Sequence, residues 1–236
     1  MDIQKSITFV PEDERWFSKL LIGALVSYVP ILNLAWLGYI TDLMRNVSQG
    51  NIKPLPEWED FGEKFTKGLI VAAAGAIYSL PVLLLGFVPF LALVVSEVSS
   101  GSDFEEALTT SATGVGLVFL CCIALYMLVL SFFFPAVHVN FSRLGTFKAC
   151  FQIREILSLV SANLGNYLIA WVVSMVGGFA IGLIAGLVVA LVGWLPCIGW
   201  IIAWIITSIV NVWITAFYAH LFGQVGATPS LGLAEI

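Results

Sequence analysis

Charged side chains are scarce in this sequence. Only 11% of its 236 residues are Asp, Glu, Lys or Arg, whereas about a quarter are charged in a typical soluble domain. Hydrophobic residues make up 60% of the chain, more apolar surface than a single core of this length can bury. The composition therefore excludes a soluble globular fold and predicts that lipid is the solvent.

Basic residues are the scarcer kind of charge, with ten Lys and Arg against fifteen Asp and Glu and a formal net charge of -5. A nucleic-acid-binding protein needs a basic surface to neutralise phosphates. This balance excludes nucleic acid as a partner.

Motifs that carry chemistry are also missing. The sequence has four cysteines but no C-x-x-C pair, so neither a zinc site nor a disulfide framework is expected. We find no nucleophile–base pair, phosphate loop or metal spacing, and no charged residue deep in a hydrophobic run. We expect a non-enzymatic protein with no metal and no cofactor other than bound lipid.

Five hydrophobic runs are present, at about 17–41, 68–95, 112–140, 165–192 and 198–221. A spanning helix needs about 20 apolar residues, so each run is long enough to be a candidate for crossing the membrane. The turn GWLPCI at 193–198 makes the last two runs an antiparallel hairpin. The acidic segment 97–110 has no basic residue, and Ser102 begins a predicted capping box with Glu105.

The basic residues lie in three groups, which are Lys5, Arg15 and Lys19, then Arg45, Lys53, Lys64 and Lys67, then Arg143, Lys148 and Arg154. Because basic connections stay in the cytoplasm, the second and third groups put segment 97–110 outside and the C-terminus inside. The first group obeys the rule only if 17–41 enters and leaves on the same side.

Pro30 and Asn33 interrupt this first run. Pro30 removes a backbone donor and disfavours helix at Val29, and Asn33 is a candidate cap for a returning helix. A re-entrant hairpin with limbs of about 12 residues would reach about 18 Å, roughly half of a 30 Å hydrocarbon core. The alternative is a kinked full span with the N-terminal tail outside.

Two amphipathic surface helices are expected beside the runs. At about 56–66, Trp58, Phe61 and Phe65 share one face at spacings of three and four and should lie at the membrane interface. At about 145–161, apolar residues such as Phe147 and Leu157 oppose polar ones such as Lys148.

Small residues recur every four positions in the last two runs. The helix-packing candidates are Ser174, Gly178, Gly182 and Gly186 in the fourth run and Ala203, Thr207, Asn211 and Thr215 in the fifth. Small residues let helix backbones approach closely in lipid, so we expect the two stripes to form much of the seam between these helices. Asn211 either hydrogen-bonds between helices or marks a solute pathway.

The two histidines, His138 and His220, lie near the inner ends of their helices. They are candidate ligands for haem or another pigment. The competing interpretation is a pair of interfacial histidines within reach of head groups and water, since no ligand motif or neighbouring acid accompanies them.

Short motifs along the whole chain resemble an uncharacterised prokaryotic membrane family, domain of unknown function 4013. They are Gly38-Tyr39, Leu55-Pro56-Glu57-Trp58, Gly68-Leu69, Phe134-Pro135-Ala136, Phe147-Lys148-Ala149-Cys150-Phe151, Asn166-Tyr167-Leu168 and His220-Leu221-Phe222-Gly223-Gln224. The resemblance implies a polytopic bacterial or archaeal membrane protein and supplies no activity or site residue.

These observations predict one all-α integral membrane domain over 1–236, with four transmembrane helices and an N-terminal re-entrant or kinked hairpin. The expected location is the cytoplasmic membrane of a bacterium or archaeon. The expected function is a scaffold or subunit that self-assembles or joins a larger membrane complex. The alternative is a channel or carrier for a small neutral or lipidic solute, which Thr207, Asn211, Thr215 and the broken first run favour.

Overall fold

The computed structural model describes the backbone of residues 1–99, 104–195 and 198–227, and the side chains of these residues except 85, 88–99 and 104–117. The predicted capping box that begins at Ser102, all the side chains of segment 97–110, and Pro196 in the turn before the last run lie outside this description. Throughout the described residues the secondary structure is helical, without a strand.

The helices follow one another as α1 (Ile3–Thr8), α2 (Trp16–Tyr28), α3 (Asn33–Ser48), α4 (Phe61–Ser99), α5 (Phe104–Leu144), α6 (Ile153–Ala162), α7 (Leu164–Val192) and α8 (Ile198–Gly226). Short 3-10 turns precede α2 and α6, at Val10–Glu12 and Phe147–Phe151.

Four segments are long and apolar enough to cross a membrane: Phe61–Leu84, Val118–Leu144, Leu164–Val192 and Ile198–Gly226. The shorter apolar helix Trp16–Tyr28 accompanies them. The predicted class is therefore confirmed: this is an all-α membrane protein with four candidate spanning helices and a separate, shorter N-terminal apolar helix.

The chain divides into two compact units, Met1–Ala72 with Pro135–Ile236, and Ala73–Phe134. In the second unit, Tyr126 Oη donates a hydrogen bond to the Tyr78 carbonyl over 2.6 Å. The Phe134 ring lies against Gly75, within 3.3 Å of where a Cβ would stand. These contacts join α4 to α5 within the second unit.

The first unit is built around α3, whose Tyr39, Leu43 and Met44 side chains are fully buried. Helix α3 packs against α8 and α2, and α8 also packs along α7. The start of α4 crosses α3 at two glycines, since a Cβ at Gly38 would overlap the Lys64 carbonyl and one at Gly68 would overlap the Leu34 carbonyl. Only glycine permits backbones to approach this closely.

The run 17–41 does not form one helix. Helix α2 ends at Tyr28, Val29 is extended with φ -82° and ψ 119°, and α3 begins at Asn33. Between them Ile31 has φ +75°, a left-handed conformation that costs energy for a β-branched side chain. Pro30 ends the helix because it has no backbone N–H to donate and because it disfavours the helical conformation at Val29.

The two limbs fold back on each other. Trp36 of α3 lies on Gly23 of α2, so closely that an added Cβ would collide with its ring. Further from the turn, the Trp58 indole both donates to the Lys19 carbonyl over 2.9 Å and stacks on Tyr39 at 4.7 Å. At about 1.5 Å per residue, the 13 residues of α2 span about 20 Å, less than a 30 Å core. The structure has the reversal that a re-entrant hairpin requires, in place of one kinked span.

Three local expectations are wrong. Asn33 is not the cap of α3, because the preceding residue, Leu32, occupies that position and no side-chain capping bond is formed. The helix expected at 56–66 starts only at Phe61, because Trp58 is held in the preceding loop by its stack and its bond to Lys19. The helix expected at 145–161 is divided at Gln152.

In the divided segment the apolar residues are partly covered by the protein and partly exposed. Helix α6 buries Ile156, Leu159 and Val160, whereas Phe147 and Leu157 are exposed.

The α3–α4 crossing is testable with one pair of substitutions. We expect Gly38→Ala to destabilise the protein by about 1–3 kcal/mol, because the new Cβ overlaps the Lys64 carbonyl. Gly62→Ala is the matched control, since a Cβ there meets nothing within 4 Å, and it should be neutral or stabilising by up to about 1 kcal/mol. Equal unfolding temperatures for the two variants in detergent would contradict the crossing.

Candidate functional site

Ion pairs collect where the N-terminal residues meet the loop before α4. Arg15 pairs with Glu57 at 2.7 Å, Lys19 with Asp13 at 2.7 Å, and Lys53 with Glu14 at 2.8 Å. Lys19 also contacts Glu57 at 2.9 Å. The hairpin thus brings the first and second basic groups of the sequence together, at one end of the first unit.

Lys19 is the buried member of this cluster, with only 4% of its surface exposed. Its ammonium donates to Asp13 Oδ2 and, over 3.1 Å, to the Leu55 carbonyl. The Glu57 carboxylate, 2.9 Å away, adds an ion pair to these two hydrogen bonds. Full pairing is what makes a buried ammonium tolerable, since an unpaired one would lose its hydration without compensation.

The Asp13 carboxylate is stabilised in its ionised form. Burial alone would raise its pKa, but hydrogen bonds from the Lys19 ammonium and the Arg15 backbone N–H hold the pKa below its ordinary value of 3.8. Because folding lowers the pKa of Asp13, its ionised carboxylate stabilises the folded protein at pH values above the ordinary pKa of 3.8. That contribution is lost as the pH falls below about 3.8 toward the folded pKa.

A second ion cluster joins α3 to the first turns of α4. Asp42 accepts from Lys67 over 2.5 Å and lies 3.8 Å from Lys64, and Lys67 also contacts Glu63 at 2.6 Å. Nearer the start of α3, the rings of Trp36, Tyr39 and, from the loop before α4, Trp58 form a stack. Among the described residues, the Tyr39 hydroxyl is the one buried side-chain polar atom without a hydrogen-bond partner.

Each histidine is engaged by a hydroxyl from a distant part of the chain. His138 Nε2 lies 2.8 Å from Thr41 Oγ1, and this hydroxyl donates to the Leu37 carbonyl. The ring nitrogen is then the donor in the first bond, because a hydroxyl has one proton. His138 and His220 are both buried, with 3% of their surface exposed, rather than open to head groups and water as the interfacial interpretation required.

His220 belongs to a contact that sequence reasoning missed. Its Nδ1 lies 2.9 Å from Ser6 Oγ and 3.1 Å from Gln224 Nε2, and Phe9 stacks on its ring at 4.3 Å. Gln224 Oε1 accepts from the Asp2 backbone N–H over 2.6 Å. These bonds fasten α1 to the C-terminal turns of α8. The bonds from Ser6 to His220 and from Asp2 to Gln224 join residues more than two hundred positions apart, so no local sequence pattern predicts them.

A serine hydroxyl on an imidazole nitrogen is also the arrangement that activates a nucleophile. Here Ser6 is 1% exposed and His220 is covered by Phe9. No face of the hydroxyl is open to an acyl or phosphoryl substrate. The geometry therefore fits a structural fastening, and we assign it that role.

The small-residue stripes of α7 and α8 lie only partly on the seam between these helices. A Cβ added at Gly178 would stand 3.6 Å from the Ile214 side chain, and one added at the neighbouring Gly177 would stand 3.2 Å from the Phe217 ring. Gly182 and Gly186 are exposed, and an added Cβ at either meets nothing within 4 Å. The expected seam is thus wrong at these two glycines, which lie beside the contacting face of α7.

The α8 stripe is divided in the same way. Ala203 is half-buried, and Thr215 Oγ1 accepts a hydrogen bond from Trp36 Nε1 over 3.1 Å. Thr207 and Asn211 are exposed, and the Thr207 hydroxyl donates to its own helix at Ala203. In α7, Ser174 likewise donates to the Trp171 carbonyl.

The buried Lys19–Asp13 pair can be separated from its exposed neighbours. We expect Lys19→Met to destabilise the protein by about 3–5 kcal/mol, because it leaves the Asp13 carboxylate buried without its cation. Lys53→Met removes the exposed Lys53–Glu14 pair and should change the stability far less, because solvent screens an exposed pair. Unfolding in detergent at pH 7 measures both, and a smaller effect for Lys19→Met than for Lys53→Met would contradict the assignment.

Comparison with known proteins gives one match. No curated protein and no solved structure matches the chain. A family model described as a protein of unknown function (DUF4013) matches residues 21–190. The matched region covers most of the chain, from α2 to the last turns of α7, and includes the motifs from Gly38-Tyr39 to Asn166-Tyr167-Leu168. The resemblance found in the sequence is confirmed, and the protein belongs to this family of unknown function.

Proposed function

We propose that this protein is a non-enzymatic membrane scaffold or subunit that assembles through the exposed small and polar residues of α7 and α8. The observation that carries the proposal is Asn211, an exposed amide midway along a 29-residue candidate spanning helix. Among the described residues its side chain makes no hydrogen bond. Hydrocarbon offers an amide no partner, whereas a neighbouring helix does.

Helix α7 supplies the second part of the argument. Gly182 and Gly186 leave open space where another helix backbone can approach. Gly178 faces Ile214, so in this antiparallel pair Gly182 lies at nearly the depth of Asn211. Close approach and a polar contact are therefore available at the same level.

A second copy of the chain is the partner that the chemistry favours. An asparagine amide is both donor and acceptor, so two Asn211 side chains can bond reciprocally across a two-fold axis. Such self-complementarity is the condition for a symmetric dimer. A different membrane subunit carrying a polar residue at this depth is the other form of the proposal.

A channel or carrier would need a polar cavity that includes Asn211. Among the described residues, the cavities of about 400, 260 and 300 Å³ are lined by residues other than Asn211. The polar stripe itself, Thr207 and Asn211, supports assembly more directly, because it faces outward.

We expect Asn211→Leu and Gly182→Leu each to weaken self-association by about tenfold, the size of one interhelical hydrogen bond or one lost close contact. Native mass spectrometry and sedimentation in mild detergent measure the dimer fraction. Gly165→Leu is the control, since this glycine of the same helix also has open space around it but lies away from the stripe.

The outcomes of a further experiment distinguish which partner contacts the Asn211 side chain. Disulfide-linked dimers of Asn211→Cys, in a background without the native cysteines, would support the two-fold contact. A wild-type chain that stays monomeric and purifies without other membrane proteins would contradict assembly. Cross-links from Asn211→Cys to cysteines placed within 73–134 of the same chain would show that Asn211 contacts helices of its own chain.

We also propose that the protein lies in the cytoplasmic membrane with both ends of the described chain inside. The support is the pairing of Arg15 and Lys19 with the loop that carries Lys53, together with the fastening of Ser6 to the end of α8. These contacts put basic residues of two groups on one side, as the positive-inside rule requires.

The topology is tested with a cysteine at Gln4, which is exposed. We expect Gln4→Cys, in a cysteine-free background, to react with a membrane-impermeant maleimide only after the cells are opened. Ser6 is unsuitable because it is buried. A cysteine at Asn51, exposed in the loop of the second basic group, should behave identically, and labelling of Gln4→Cys alone in intact cells would refute the shared side.

A further inference from the structure

A cavity of about 400 Å³ opens at the charged end of the first unit. Its walls are the residues before α2 and the first turn of that helix, Asn46 of α3, and the loop from Lys53 to Glu57. Cavities of about 300–1,000 Å³ are the usual size for small-ligand sites. The lining residues are Asp13, Glu14, Arg15, Lys19, Asn46, Lys53, Leu55, Pro56 and Glu57.

The lining carries three acids and three bases, so it suits a ligand with charges of both signs. Lys19 and Asp13 form its interior, with side chains only 6% and 8% exposed, and each satisfies the other. The rim is different: the side chains of Arg15, Lys53 and Glu57 are 67%, 56% and 40% exposed. The interior is a fixed ion pair, and the rim is accessible to a ligand.

Rim groups retain hydrogen-bonding capacity. Arg15 donates from one guanidinium nitrogen to Glu57, and Lys53 uses one of its three donors on Glu14. Both glutamates are engaged through Oε1, which leaves Oε2 of each as an acceptor. Exposed pairs of this kind add little net stability, so a ligand can replace them at little cost.

The position of the cavity identifies the environment of the ligand. Directly after it, α2 exposes Phe17, Leu21 and Leu25 by 65%, 46% and 54%. In a membrane protein these side chains contact acyl chains. Charged residues one turn before a lipid-facing helix surface lie at the level of the head groups, where Arg and Lys near helix ends are favoured.

We propose that this cavity binds a phosphate–ammonium zwitterion, the head group of phosphatidylethanolamine. Arg15 and Lys53 hold the phosphate, for which a guanidinium is the better-matched donor. Glu57 and Glu14 accept from the primary ammonium. A water-soluble compound with the same phosphate and ammonium, such as glycerophosphoethanolamine, is the other source of this chemistry.

Lipid exchange in nanodiscs tests the proposal. We expect native mass spectrometry to show retained phosphatidylethanolamine and a raised unfolding temperature in its presence. Phosphatidylglycerol, which lacks the ammonium, and phosphatidylcholine, whose ammonium has no N–H, should do neither. Equal stabilisation by all three lipids, or preference for phosphatidylglycerol, would overturn the site.

A competition arm distinguishes the two sources. If soluble glycerophosphoethanolamine stabilises the detergent-purified protein as strongly as the lipid does, the ligand is the soluble zwitterion. If only the lipid stabilises it, the acyl chains contribute to the binding. Failure of both ligands to stabilise the protein would refute the proposal.

Variants of the rim locate the effect. We expect Arg15→Gln and Lys53→Gln each to weaken lipid binding by about tenfold, the size of one hydrogen bond to a charged group. Lys148→Gln makes the same charge change at an exposed residue elsewhere in the first unit, and it should leave binding unchanged. Unfolding without added lipid checks that the rim variants remain folded. Unchanged binding in both rim variants would contradict the assignment.

Discussion

Pro30 has no backbone N–H to give to a helix and keeps Val29 out of the helical conformation, and the rest of the first unit depends on the resulting reversal. Because the chain turns back at 29–32, Trp36 lies on Gly23 and Lys19 returns to the level of Leu55 and Glu57. A straight helix over the same residues would place Gly23 and Trp36 about 20 Å apart and would move Lys19 still further from Leu55 and Glu57. The positive φ of Ile31 is a strain that the packing of both limbs must offset.

The reversal also explains how a lysine can be buried in so apolar a protein. Lys19 reaches Asp13 from its own segment and the Leu55 carbonyl and Glu57 from the loop before α4. Its ammonium thereby joins three segments of the chain. Such a pair adds little net stability compared with apolar residues of similar size, but it penalises any arrangement in which these segments separate.

The outward stripes and the mixed-charge cavity are two different surfaces of one protein. Gly182, Gly186 and Asn211 offer close approach and an amide where the surroundings are hydrocarbon. The cavity beside Arg15 and Lys53 offers paired charges where the surroundings are head groups. In both places the features are suited to partners in the membrane, a helix in one case and a lipid in the other.

By itself the sequence determined the helical membrane class, the number of long apolar helices, the break near Pro30 and the family. These follow from composition, run length and proline chemistry, which act locally along the chain. Only the tertiary structure decided which face of each helix is covered. A four-residue repeat shows that Gly178 and Gly182 lie close on one helix, but contact with Ile214 beside the first and open space beside the second depend on where α8 lies. The same holds for the loop position of Trp58 and for the bond between Ser6 and His220. Such contacts join residues far apart in the chain, so they are set by packing rather than by any local pattern.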